Sequence, residues 1–183
     1  MKVLLDACVL YPTVMREVLL GVARAGLFQP LWSARILEEW ARAARKLGAE
    51  GETVARGEIA LLQADWPRAT VLPAPGLEQR LWLPDENDIH VLAAAIAGSA
   101  DILLTSNAGD FPQNILHEEG LNRRDPDGFL WQLWSDHPGT VADAAETVRR
   151  TAERLSGQPQ PIRKLMKKAR LPRLGKALDQ AAS

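Results

Sequence analysis

Residues 83–112 read LPDENDIHVLAAAIAGSADILLTSNAGDFP, and their reading decides the fold. Pro84 and Asp85 stand before a nearly unbroken apolar series, Ile89, Val91, Leu92, Ala93, Ala94, Ala95 and Ile96. That pattern predicts a buried helix, with Gly98 as its stop. Ile102-Leu103-Leu104-Thr105 is apolar throughout but too short for a helix, so it reads as a buried strand. Asn107 to Pro112 reads as the loop that follows it. A helix delivering the chain into a strand buried on both faces is half of a βαβ unit, and such units build parallel sheets with right-handed crossovers.

The same alternation extends toward the N-terminus. Val3-Leu4-Leu5 is a short apolar run ending in Asp6, and Pro12 punctuates the loop after it. Val14, Val18, Leu19, Val22 and Ala25 recur at helical spacing before Gly26. Phe28 to Trp32 reads as a second strand. Ser33 reads as the N-cap of a helix reaching about Lys46, with Ile36, Leu37, Trp40 and Ala44 inward and Gly48 ending it. A further helix over about 52–65 and a strand over Ala69–Leu72 complete this part. From about Asp125 the pattern is helical only. Phe129, Leu130, Leu133 and Trp134 suit one helix, and Pro138 to about Leu155 a second. Ser156 to Pro161 reads as a hinge, and the basic stretch after it as helix broken at Pro172. The expected fold class is therefore α/β, a central parallel sheet flanked by helices, over residues 1–135. A helical, basic extension is expected over 136–183.

Composition bounds the function classes. The chain has 183 residues, 46% hydrophobic and 25% charged, which is ordinary globular composition. No apolar run approaches the ~18 residues needed to span a bilayer. The opening Met1-Lys2-Val3-Leu4-Leu5 is too short for a secretory core, so a cytoplasmic protein is expected. The single cysteine, Cys8, cannot form an internal disulfide or a cysteine-based zinc site. His90, His117 and His137 lack metal-ligand spacing. The net charge of -1 conceals an asymmetry. Residues 156–183 hold seven basic side chains and one acidic, Asp179, so an acidic body carries a basic tail. Such a tail suits nucleic-acid phosphates or an acidic partner, or it is simply a solvated helix face.

In open parallel sheets, sites form beyond the carboxyl ends of the strands. That rule sets Asp6 and the Thr105–Asp110 loop on one edge. Asp6 closes a strongly apolar strand, where an unpaired charge is costly. Asp85 suits an ordinary helix cap, and Glu38 or Glu39 taken alone suits solvated surface. Several carboxylates converging on one edge would repel one another and raise each other's pKa values unless a cation neutralised them. Oxygen-only ligands favour Mg²⁺ or Mn²⁺, ions that serve phosphoryl chemistry.

Four segments in order, LLDACVLYP (4–12), SARILEEW (33–40), LPDENDIHVLAAA (83–95) and ILLTSNAGDFP (102–112), resemble the PIN-domain ribonucleases. The likeness is closest to the VapC-type toxins of toxin–antitoxin systems and covers roughly residues 2–135. The resemblance implies a divalent-metal-dependent endoribonuclease using Mg²⁺ or Mn²⁺, with RNA as substrate, a cognate antitoxin as partner and a homodimeric state. It assigns Asp6, Glu39 (Glu38 in the alternative register), Asp88 and Asp110 to the metal, with Asp85 in the same acidic group. Asn107 stands where the family often has aspartate, and Asp110 would supply the missing carboxylate. Thr105 and Asn107 would orient a ligand or water. Cys8 replaces an Asn or Ser common in the family and reads as a small buried filler. His90 reads as structural, packed behind the carboxylates. Most of the six tryptophans read as core, while those on the helices at 33–46 and 52–66 could anchor an antitoxin helix. Two other functions fit the same motifs: a PIN nuclease of RNA processing without an antitoxin, and a catalytically impaired PIN-fold scaffold. A phosphatase with an aspartyl nucleophile would need a second aspartate at position 8 and is set aside.

Overall fold

The computed structural model describes all 183 residues. Five strands form one parallel sheet: β1 (Lys2–Leu5), β2 (Gln29–Ser33), β3 (Thr70–Val71), β4 (Ile102–Leu104) and β5 (Asn122–Arg124). Their spatial order is β3-β2-β1-β4-β5. Leu4 lies opposite Leu31 on one side and Leu103 on the other, so β1 is central. Val3, Leu4 and Leu5 are wholly buried, as an apolar run in a doubly covered strand requires.

The helices are α1 (Ala7–Leu10), α2 (Thr13–Arg24), α3 (Ala34–Ala43), α4 (Gly51–Asp65), α5 (Pro75–Arg80), α6 (Ile89–Ala97), α7 (Gln113–Glu118), α8 (Pro126–Asp136), α9 (Pro138–Ser156), α10 (Ile162–Lys168) and α11 (Pro172–Ala181). Short 3₁₀ turns at Ala44–Leu47 and Glu86–Asp88 adjoin α3 and α6. No helix is long and apolar enough to cross a membrane.

The contacts divide the chain into two compact units that are interleaved in sequence. One comprises Met1–Tyr11 and Gln29–Arg124 and contains the sheet. The other comprises Pro12–Phe28 and Asp125–Ser183, and is all helical. The second unit thus takes α2 from the N-terminal region and joins it to α8–α11. Within it α2 packs on α9, where a side chain on Gly21 would press on the Ala144 methyl at 3.2 Å.

The expected elements are present, with four additions: α1, α5, α7 and β5. Helix α1 is a four-residue turn started by Asp6, whose carboxylate accepts from the Ala7 N–H. Strand β5 is Asn-Arg-Arg, a polar edge strand with no apolar run to announce it. Gly98 does cap α6, but for a different reason than a left-handed turn. Its backbone is right-handed and a Cβ there would lie 2.9 Å from Leu31 and Val71. Ser99 takes the left-handed position instead, at φ 53°.

The basic stretch is helical and is broken just before Pro172, which begins α11, where a missing N–H is harmless. Asp127, buried in α8, accepts from the Arg173 and Leu174 N–H groups at 2.9 and 3.0 Å and so caps α11. Between α10 and α11 the turn is a Schellman motif. Leu171 N–H donates to Met166 O and Arg170 N–H to Lys167 O. The left-handed position of that motif is usually glycine, as Gly26 is after α2 at φ 87°. Here it is Arg170 at φ 62°, a conformation costing roughly 1–2 kcal/mol for an L side chain.

Candidate active site

The strand order fixes where a site can form. From β1 the chain moves outward through β2 to β3, then returns to the other side of β1 as β4. The switch point therefore lies between β1 and β4, at their carboxyl ends. Asp6 follows β1 and Thr105 follows β4, and they meet there: the Thr105 hydroxyl donates to Asp6 Oδ2 at 2.8 Å.

Asp6 is 5% exposed and held from three directions. Besides Thr105, the Ala7 N–H donates to Oδ1 at 2.7 Å and the Cys8 thiol to Oδ2 at 3.2 Å. Burial raises the Asp6 pKa, and the three hydrogen bonds work against that rise, with Glu39 adding a small repulsion. Cys8 is more than a filler. Burial, then Asp6, push its thiol up to about 11, so it stays protonated and donates to Asp6. It also accepts from the Ser106 N–H at 3.4 Å. The thiol thereby does the orienting work of a hydroxyl.

Glu38 and Glu39 are separated by the structure. Glu38 pairs with Arg56 and Arg42 on the surface, which hold its carboxyl down at about 2. Glu39 instead meets His90, whose Nε2 lies 2.6 Å from Glu39 Oε1. His90 is 5% exposed and its Nδ1 has no hydrogen-bond partner. The ring proton therefore belongs on Nε2, where it donates to Glu39. His90 thus holds Glu39 Oε1 by a link that no sequence spacing announces.

Asp88 is half-buried, and its carboxyl is pushed up to about 6. Burial contributes most, followed by repulsion from Asp110, Asp6, Asp85 and Glu39. Asp88 thus feels the charge of the other four carboxylates that the sequence motifs single out. No lysine or arginine forms an ion pair with Asp6, Glu39, Asp88 or Asp110. Asp85 also has a local role: its Oδ1 accepts from Asn87 N–H and Nδ2 at 2.9 and 3.0 Å, capping the turn before α6. Asn107 is exposed, and its backbone N–H donates to Thr105 Oγ1.

The raised Asp88 pKa sets a pH dependence. The folded chain favours the protonated carboxyl, so its stabilisation is complete below the ordinary carboxylate range and is lost as pH rises through about 6. Without metal, the protein is expected to melt at higher temperature near pH ~5 than near pH ~7.5 through this group. Asp88→Asn is expected to raise stability at the higher pH by about 1 kcal/mol, after discounting for solvent screening, and to flatten the pH profile. A pH profile identical to wild type would place the stored repulsion elsewhere.

No three His, Cys, Asp or Glu side chains close into a ready-made metal group in this structure. The donor chemistry nonetheless fits a hard divalent cation, because every donor is a carboxylate oxygen and the group lacks a positive side chain. A cavity of about 590 Å³ lies elsewhere, between α2 and α9 of the helical unit, and is lined by none of the five carboxylates.

The five-stranded parallel sheet thus carries a set of carboxylates at its switch point, the place where open α/β sheets form their sites. Residues 2–109, more than half of the chain, match the PIN-domain family. The chain belongs to that family. No curated protein and no solved structure gives a match.

Proposed function

We propose that this chain is a divalent-metal-dependent endoribonuclease that acts in the cytoplasm as the toxin of a toxin–antitoxin pair. The observation that supports catalysis most directly is the set of coupled carboxylates with no cation paired to them. Structural ion pairs elsewhere in the chain are neutralised, as Glu38 is by Arg56. The toxin reading rests on the likeness of four segments in order, residues 4–12, 33–40, 83–95 and 102–112, to VapC-type motifs.

Asp6, Glu39, Asp88 and Asp110 would hold the ion, with Asp85 adding negative charge nearby. Mg²⁺ or Mn²⁺ bound there would neutralise the cluster, activate a water for in-line attack and stabilise the departing 3′ oxygen. The protein's own part is positioning. Thr105, Cys8 and the Ala7 N–H fix both Asp6 oxygens, and His90 fixes one Glu39 oxygen. The pocket repels a phosphodiester until its charge is neutralised, which couples RNA binding to the ion.

For an antitoxin helix, a groove of about 280 Å³ runs between α3 and α4, with Leu37 and Ile59 inside and Glu38 and Arg56 among its lining. Trp40 is no anchor for such a partner, because it is 2% exposed in the core. One observation favours the scaffold alternative: the absence of three side chains already closed around an ion position.

The test is cleavage of a mixed structured-RNA pool by antitoxin-free protein, with Mg²⁺ or Mn²⁺ against EDTA. Metal-dependent cutting is expected, leaving 5′-phosphate and 3′-hydroxyl ends. Glu39→Gln should reduce it by about 10²-fold or more, whereas Glu38→Gln should stay within about 2-fold of wild type. Equal losses in the two variants would reject Glu39 as the ligand, and no cutting by folded protein would favour the scaffold.

A further inference from the structure

The basic tail folds as a sharply two-faced element. Leu165, Met166, Leu171, Leu174, Ala177 and Leu178 are buried, whereas all seven cations of the tail are exposed. Arginines at 42, 45, 56, 80, 149 and 150 are each paired with glutamate. The tail differs. Only Arg163 has a carboxylate partner, Asp179 at 3.6 Å. Arg173 lies over the half-exposed Trp131 ring at 4.4 Å, which holds the guanidinium in place without neutralising it. Lys164, Lys167, Lys168, Arg170 and Lys176 have no ion-pair partner. Arg170 moreover occupies the left-handed turn position that glycine fills without strain. A charged side chain thus stands at a position where the backbone favours glycine.

We propose that the exposed faces of α10 and α11, with the Arg170 turn, form a polyphosphate-binding surface that holds single-stranded RNA. It uses none of the carboxylate-cluster residues, and naming RNA as its ligand rests on the nuclease reading above. Unpaired cations strung along two helices and their turn match a chain of repeating phosphates. A membrane or a protein partner would also bury apolar side chains on docking. No large hydrophobic side chain is exposed between residues 156 and 183. The surface keeps RNA on the molecule through charge alone, so binding there is independent of base sequence and weakens with salt.

The experiment measures binding of a labelled, mixed-sequence single-stranded RNA of about 20 nucleotides to the full chain carrying Asp6→Asn, in EDTA, from about 50 to about 200 mM salt. Five engaged cations predict a log–log salt slope of about -3.5. The triple variant Lys164→Gln, Lys167→Gln, Lys168→Gln should lose about 10-fold in affinity and reduce the slope by about 2. Arg170→Gly should weaken binding a few-fold while its melting temperature holds or rises, which a merely structural arginine would not do. An unchanged slope in the triple variant, or a preference for phosphatidylserine vesicles over RNA, overturns the proposal. Failure here with metal-dependent cutting intact rejects this surface alone. Salt-dependent binding by a wild-type protein that never cuts RNA rejects the nuclease reading and leaves the surface standing.

Discussion

Asp6→Asn is expected to lower metal-dependent RNA cleavage by about 10³-fold while the fold is retained. The substitution keeps shape and removes charge. An asparagine oxygen still accepts from the Ala7 N–H, and the Thr105 hydroxyl can turn to accept from the new amide. Because burial raises the Asp6 pKa, the neutral side chain relieves a penalty, so the melting temperature should hold or increase. Rate and melting temperature must be read together. Lost cleavage in a variant that melts as wild type or above assigns Asp6 to the chemistry. Retained cleavage would remove it from the site.

The second large effect concerns the C-terminal region. Ending the chain after Ser135, where the composition shift suggests a boundary, is expected to prevent the helical unit from folding. Helix α2 would lose α9, whose Val141 and Ala145 are wholly buried. Helix α8 would lose α11, leaving the Asp127 carboxylate without the two N–H groups that it caps. Removed with them are buried Leu165, Met166, Leu171 and Leu174. At about 1.5–3 kcal/mol for each large apolar side chain, this loss matches the whole net stability of a typical domain, about 5–15 kcal/mol. The shortened chain should be insoluble or should melt without a cooperative transition. A soluble 1–135 fragment with one sharp melt would show that α2 does not depend on α9.

The elements that built the sheet were legible because their side chains repeat at simple intervals. Val3-Leu4-Leu5 and Ile102-Leu103-Leu104 could only be buried strands, and the switch-point rule then located Asp6 and Thr105 on one edge. Ser33 was legible as a cap, and it does accept from the Ile36 N–H. The register of the two glutamates was not. Adjacent residues on a helix differ by about 100° in direction, and only the partners of each decide which faces the cluster. Arg56 is distant in sequence from Glu38, and His90 from Glu39, so no local pattern could report either pairing. The interleaving of the two units was equally hidden. The apolar stripe of α2 states that the helix is buried, but not that its partner arrives from the far end of the chain.

That interleaving has a consequence for the order in which the molecule is made. Helix α2 leaves the ribosome soon after β1, yet α9 begins only at Pro138. At about 5–20 residues per second, the nascent chain carries an uncovered apolar helix for roughly 6–25 s. During that interval the sheet strands can be synthesised through Arg124, while the helical unit has only its first segment. Translation speed and the chaperones that shield nascent hydrophobic helices therefore act on α2 throughout that interval. A pause placed between the codons for Asp125 and Pro138 would lengthen its exposure and lower the yield of native protein.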